Sequence, residues 1–172
     1  MGLPPKGEQA LDLKGHIYES ASHAYLFPQN ERWADWLEDQ FMGQTRTVSR
    51  YALKKEEHHF DTGLLKQYME AIPKGIRLKR IDDRLYRLAL KEEWSKDLCS
   101  NFEDEKHFRE HGFGYVAMRG REIVAGCSAY GVSEGMMEIE VDTRKDCRRQ
   151  GLALACSAAF LMECLEKGIV PN

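Results

Sequence analysis

Apolar positions change their period along this chain, and the changes outline its elements. Up to about residue 30 the pattern is weak and broken by glycine and proline, so a loose lead-in with room for one short helix is expected. From Asn30, a good N-cap, Trp33, Trp36, Leu37 and Phe41 recur at helical spacing and predict a helix over 31–42. Val48, Tyr51 and Leu53 alternate within 46–54 and predict a strand. Asp61 or Thr62 can cap a helix over 63–72, with Leu64, Leu65, Tyr68, Met69 and Ile72 inward, and Pro73-Lys74-Gly75 ends it. A domain boundary is placed at 73–75, giving an N-terminal region 1–75 and a core 76–172.

Beyond that boundary the pattern sharpens. Ile76 to Ile81 alternates as a short strand, and Asp82 caps a helix over 83–93 with Leu85, Leu88 and Ala89 on one stripe. A second helix over about 102–111 follows Ser100 or Asn101 as cap and ends at Gly112. Residues 113–119 and 122–130 form a hairpin around Arg119-Gly120-Arg121, and Glu134-Gly135 turns the chain into a strand over 136–143. A long apolar helix over 151–167 closes at Gly168. Strand, helix, helix, three strands, helix is an α/β order of the α+β kind: a mixed, largely antiparallel sheet flanked by helices.

Composition narrows the function. The chain has 172 residues, 42% hydrophobic and 31% charged, with a net charge of -3 from 25 basic and 28 acidic residues. Neither half is a polycation, which disfavours general nucleic-acid binding. The longest apolar stretch, Leu152 to Leu165, is about 14 residues and carries Glu163, against the roughly 20 a membrane span needs. Five cysteines, an odd number without a CxxC pair, read as reduced and mostly buried thiols of a cytoplasmic protein.

The chemistry concentrates between Glu138 and Leu154. On a strand, Ile139, Val141 and Thr143 share one face while Glu138, Glu140 and Asp142 share the other. A loop carrying Arg144, Lys145, Arg148 and Arg149 then reaches Gly151 at a helix start. The first amides of a helix have no internal partner, and with the helix dipole they form an anion site. Gly151 lets a phosphate approach the main chain. The spacing matches neither GxGxxG nor GxxxxGK[ST], so no Rossmann or P-loop site is expected.

Arg148-Arg149-Gln150-Gly151-Leu152-Ala153 fits the [Q/R]-x-x-G-x-[G/A] motif, and with its strand-before, helix-after context the chain resembles the GNAT acetyltransferases. GFGYVAMRGREIVAGCSAYGV looks like that family's second and third strands and EIEVDT like its fourth. The run from about Tyr51 to Asn172 also resembles a Firmicute-type GNAT subfamily with its own N-terminal region. The resemblance implies acetyl-CoA as co-substrate, with no metal, and an amine of a small molecule or protein as acceptor. It places the pyrophosphate on Arg148, Arg149, Gln150, Gly151, Leu152, Ala153 and Leu154, and the pantetheine arm along Val141, Asp142 and Thr143. A carboxylate must take the amine's proton, and Glu140 and Glu138 are the candidates.

Two departures stand out. Lys145 occupies a position where many members carry Pro. The chain also ends at Asn172, before the family's fifth strand, fourth helix and closing strands, and before the Tyr that often protonates the leaving thiolate. A truncated version of a longer protein is expected, with a half-built cleft and an open fourth-strand edge on which a second copy could pair. The alternative function is a CoA-binding or regulatory module without turnover.

Other motifs have plainer readings. His107-Phe-Arg-Glu110-His111 matches the H-x-x-E-H zinc helix, but Gly112 follows at once, so His111 reads as a helix-end residue. His58-His59 reads as solvated and Trp33 with Trp36 as core packing. Arg77, Lys79, Arg80, Arg84 and Arg87 read as a solvated basic surface. Cys156 and Cys164 read as core.

Overall fold

The computed structural model describes residues 3–20, 25–28, 30–48, 60–133 and 135–172. The chain divides into two compact units, residues 1–55 and 56–172. In the first, α1 (Glu8–Ser20) occupies the lead-in, a longer helix than its weak pattern predicts. In α2 (Glu31–Gln40) the Asn30 side chain accepts from the Trp33 amide, as the capping pattern predicts. The Tyr18 and Phe41 rings pack 5.6 Å apart, with the Lys14 ammonium over Phe41. Trp33 and Trp36 meet edge to face at 5.6 Å, yet α2 holds no buried residue, which corrects their reading as core. Of the predicted strand over 46–54, residues 46–48 are irregular and the rest lies outside the described residues, as does His58-His59.

The second unit holds α3 (Thr62–Glu70), β1 (Ile76–Arg80), α4 (Asp83–Ala89), α5 (Glu105–His111), β2 (Gly114–Arg119), β3 (Glu122–Ser133), β4 (Met136–Thr143), α6 (Leu152–Lys167) and β5 (Val170–Pro171). Single 3-10 turns, Lys96–Leu98 and Lys145–Cys147, link α4 to α5 and β4 to α6. The loop at 73–75 lies inside this unit rather than at its border, because α3 packs along α6. The strands lie in the order β1-β2-β3-β4-β5, antiparallel except for the parallel β4–β5 pair. The fifth strand is absent from the sequence reading: Val170 and Asn172 hydrogen-bond along the tip of β4.

Two helical boundaries move for local reasons. The helix predicted over 83–93 stops at Ala89, where the buried Ser95 hydroxyl donates to the Ala89 carbonyl at 2.8 Å and turns the chain. The helix predicted from 102 starts at Glu105, because Asp104 caps the His107 amide at 2.7 Å while Ser100 and Asn101 spend their side chains elsewhere.

Strand β3 is buried on both faces from Ile123 to Ala129. Its odd positions meet α6, where Cys127 packs beside Ser157 and Cys156. Its even positions meet the 96–98 turn. Cys156 and Cys164 lie in the core, and burial pushes their thiols up to about 12. The edge strand β1 exposes Arg77 and Lys79, charges that blunt an open edge.

One ion pair spans 83 residues. The Glu163 carboxylate, buried on α6, accepts from Arg80 Nε at 2.8 Å and Nη2 at 2.7 Å, and from the Tyr115 hydroxyl at 2.9 Å. Burial alone raises this carboxyl's pKa, but the Arg80 and Tyr115 hydrogen bonds outweigh it and hold it below the ordinary value. A depressed carboxyl pKa gives stability that is present above about pH 4.3 and lost as pH falls through the folded-state value. Arg80→Ala is therefore expected to cost about 1–3 kcal/mol at pH 7, less than the roughly 3–5 of a fully buried pair because 43% of the Arg80 side chain is exposed. Urea melts at pH 7 and pH 3 check this: the gap between wild type and variant should shrink at pH 3, and an equal gap at both would contradict it.

Candidate functional site

The end of β4 and the start of α6 meet in one tight connection. Arg144 leaves the strand with its amide bonded to the Val124 carbonyl at 3.0 Å. Its guanidinium then holds Asp146 at 2.8 and 3.1 Å, Glu122 at 3.0 Å and the buried Cys147 sulfur at 3.7 Å. Cys147 donates in turn to Asp146. The bonds from Arg144 hold the Asp146 carboxyl below its usual pKa. This knuckle closes the loop on itself, so Cys147 is a structural thiol.

The chain next passes through two left-handed residues, Arg149 at φ 60° and Gly151 at φ 76°. Left-handed residues at the entry to a helix are one way in which main-chain amides are grouped to receive an anion. Gly151 is the N-cap of α6, and no side chain caps the helix. The first internal helical bond runs from the Ala155 amide to the Gly151 carbonyl, 3.0 Å, which leaves the amides of Leu152, Ala153 and Leu154 outside the ladder. Nothing stands within 4 Å of a Cβ built on Gly151, so it is the backbone angle and not crowding that calls for glycine here.

The predicted cations take different places. Arg144 is spent on Glu122 and Asp146, and Arg148 Nε is tied back to the Thr143 carbonyl at 3.2 Å. Lys145 and Arg149 stay exposed. Arg119, at the β2–β3 turn, reaches Gln150 Oε1 at 3.5 Å and adds a charge that no local motif announces. On the α6 face, Val141 and Leu154 expose apolar side chains. The outer edge of β4 is paired only near its start, by β5 and by Asn172, which bonds Met137 and Ile139. Among the described residues no strand pairs with that edge from Glu140 to Thr143, where the Thr143 amide donates to Asp142 Oδ1 at 2.8 Å and its carbonyl takes the Arg148 bond.

Glu138, Glu140 and Asp142 share the opposite face of β4, as alternation predicts. Glu138 lies beside Gly131 near a hollow of about 200 Å³ lined by Val132, Ser133, Met136 and Asn172. Burial, then the charges of Asp142 and Asp97, raise the pKa of Glu140 above the ordinary glutamate value. The neighbours acting on it are thus Asp142 and Asp97, not the Glu138 that sequence alone pairs with it. Asp97 comes from the 96–98 turn, far from any motif.

The H-x-x-E-H segment is the end of α5. His111 Nδ1 lies 3.2 Å from the His107 carbonyl of its own helix and Glu110 pairs with Lys106. Among the described residues no group of three His, Cys, Asp or Glu side chains is placed to hold a metal ion. No helix among them is long and apolar enough to cross a membrane.

Comparison with known proteins identifies the family. A family model described as GNAT acetyltransferase matches residues 2–172. An uncharacterized N-acetyltransferase, YdfB of Bacillus subtilis (strain 168), is 25% identical over 156 residues, covering 90% of this chain and 56% of YdfB. The crystal structure of a GCN5-related N-acetyltransferase-like protein from Streptococcus suis 89/1591 superimposes with a TM-score of 0.87 at 37% identity, covering 99% of this chain and 66% of that one. The chain therefore spans between about half and two thirds of these relatives' lengths.

The turn into α6 yields a stability test. A non-glycine residue at φ 60° carries roughly 1–2 kcal/mol of strain, whereas glycine there costs about 0.4–1 kcal/mol of unfolded-state entropy. Arg149→Gly should thus leave stability unchanged or raise it by about 1 kcal/mol, a rise in Tm of roughly 2–4 °C. A clear loss in a thermal melt would contradict the strained geometry.

Proposed function

Given that the chain belongs to the GNAT acetyltransferase family, we propose that it forms one wall of an acetyl-CoA site and takes part in acetyl transfer to an amine. The observation that carries this reading is the uncapped start of α6, entered through two left-handed residues and flanked by the strand-free edge of β4. In this reading the amides from Gly151 to Leu154 receive the pyrophosphate, with Arg119, Lys145, Arg148 and Arg149 as surrounding charge. Charge-assisted hydrogen bonds of this kind are worth roughly 1.5–3 kcal/mol each where water is excluded. The strand-free edge from Val141 to Thr143 lies along the amide-bearing pantetheine arm, and Val141 and Leu154 cover its apolar stretches.

The chemistry follows from that placement. An ammonium acceptor must first lose a proton, and Glu140 accepts it, directly or through one water. A carboxylate whose proton affinity is raised by burial and neighbouring acids is a stronger base than an exposed glutamate. The neutral amine nitrogen then bonds to the thioester carbonyl carbon, the carbon–sulfur bond breaks, the nitrogen releases its remaining extra proton to solvent to give the neutral amide, and CoA leaves as a thiolate that takes a proton from solvent. Glu138, beside the hollow at Gly131, is placed to attract the cationic acceptor. No cysteine enters this direct transfer.

Calorimetric titration with acetyl-CoA tests the binding half of the proposal. Gly151→Val forces a branched side chain into the left-handed region and into the phosphate approach, and an affinity loss of at least tenfold is expected. Arg149→Ala should weaken binding by less, because the amides remain. Equal affinity in wild type and Gly151→Val would overturn the assignment. Acetyl transfer to a panel of primary amines tests the other half: Glu140→Gln should keep affinity for acetyl-CoA and lose turnover. Binding with no turnover in any wild-type reaction would favour a CoA-binding module.

A further inference from the structure

Glu140 lies on the sheet face opposite α6, and its cross-strand neighbour on β3 is Ser128. The Ser128 hydroxyl, fully buried, donates a 2.6 Å hydrogen bond to the Leu98 carbonyl. Two residues earlier Gly126 stands opposite Asp142, and Leu98 fills the space its side chain would take. A Cβ at Gly126 would sit 2.5 Å from Leu98 Cδ1, and Leu98 is itself fully buried. The 96–98 turn is thus pinned at two adjacent sites of β3, by a hydrogen bond and by shape. Asn101 Nδ2 adds a third tie, donating to the Tyr130 carbonyl at 3.0 Å. The Asp97 carboxylate is steadied locally, accepting from the Ser100 hydroxyl at 3.2 Å.

We propose that Asp97 is a positioning residue for Glu140: the pinned turn carries its carboxylate from the helical layer to the β4 face, so that Glu140 meets negative charge from two separate elements. The role for catalysis rests on the reading of Glu140 as the base. From its own strand Glu140 is flanked by Asp142 and Glu138, β3 opposes it with the neutral Ser128, and the 96–98 turn, which packs against β4, brings Asp97 beside Lys96, whose ammonium is paired with Glu93 at 2.6 Å. Burial, Asp142 and Asp97, in that order, favour the protonated carboxyl, and the Val141 amide opposes them. Glu140 therefore keeps its proton to higher pH than an ordinary glutamate, which sets the acid limit below which the base is already occupied. Asp97 is exposed, so water and salt screen its effect, and its share grows at low ionic strength.

The test is a carboxyl-carbon NMR pH titration of the chain labelled at glutamate, with the Glu140 signal assigned by its absence in Glu140→Gln. Asp97→Asn keeps the acceptor for Ser100 and removes only the charge. Its Glu140 midpoint should move down at low salt, as it should in Asp142→Asn, and the gap from wild type should narrow in 1 M NaCl. Asp97→Glu, which restores the charge, should return the midpoint toward wild type. An unmoved midpoint in Asp97→Asn, or a gap indifferent to salt, overturns the proposal. The titration involves no turnover, so its outcome is separate from that of the acetyl-transfer assay on Glu140→Gln, which alone decides whether Glu140 is the base.

Discussion

Strand β3 is buried on both faces, and between Ala125 and Ala129 it carries only small residues: Ala, Gly, Cys, Ser and Ala. That constraint governs what stands on either side. Small side chains let α6 pack against the odd positions and let the 96–98 turn sink Leu98 into the space over Gly126. Because β4 is registered on β3 from Ala125–Thr143 to Ser133–Met136, whatever β3 admits on each face is also brought beside β4. One face of β4 thus meets the start of α6 and the other meets the 96–98 turn that carries Asp97. Larger residues in β3 would push both layers outward and separate the groups that the proposed function needs together.

The helix α6 is held at both ends by different physics. At its C-terminal half the Glu163 carboxylate is clamped by Arg80 and Tyr115, with Arg80 and Lys167 both over the Phe113 ring, which stacks on Phe160 at 4.7 Å. At its start no side chain satisfies the amides, and the knuckle of Arg144, Asp146 and Cys147 fixes the approach. A helix anchored at one end and left uncapped at the other is consistent with a ligand supplying the missing acceptors, which is the physical core of the acetyl-CoA reading.

What could be read from the sequence follows the range of the interactions. The turn into α6 was legible because its signals are local: a glycine, a basic loop and an apolar helical period within a few residues. The alternation that places Glu138, Glu140 and Asp142 on one face was legible for the same reason. The Arg80–Glu163 pair was not, since its partners are 83 residues apart and each looks like an ordinary surface charge. Asp97 was hidden for a subtler reason. Its role depends on Ser128 and Gly126, which in sequence are unremarkable small residues of a strand. The cation count around Gly151 was overdrawn, because sequence cannot tell that Arg144 is consumed by Glu122 and Asp146 while Arg119 arrives from another strand.

The most direct measurement is an amide-resolved NMR titration of this chain with coenzyme A. The account predicts that the largest shifts fall on the amides from Gln150 to Ala155, with a second group at Val141 to Thr143 and little change at α5. Largest shifts elsewhere in the chain, or saturating binding that leaves the start of α6 unperturbed, would contradict it.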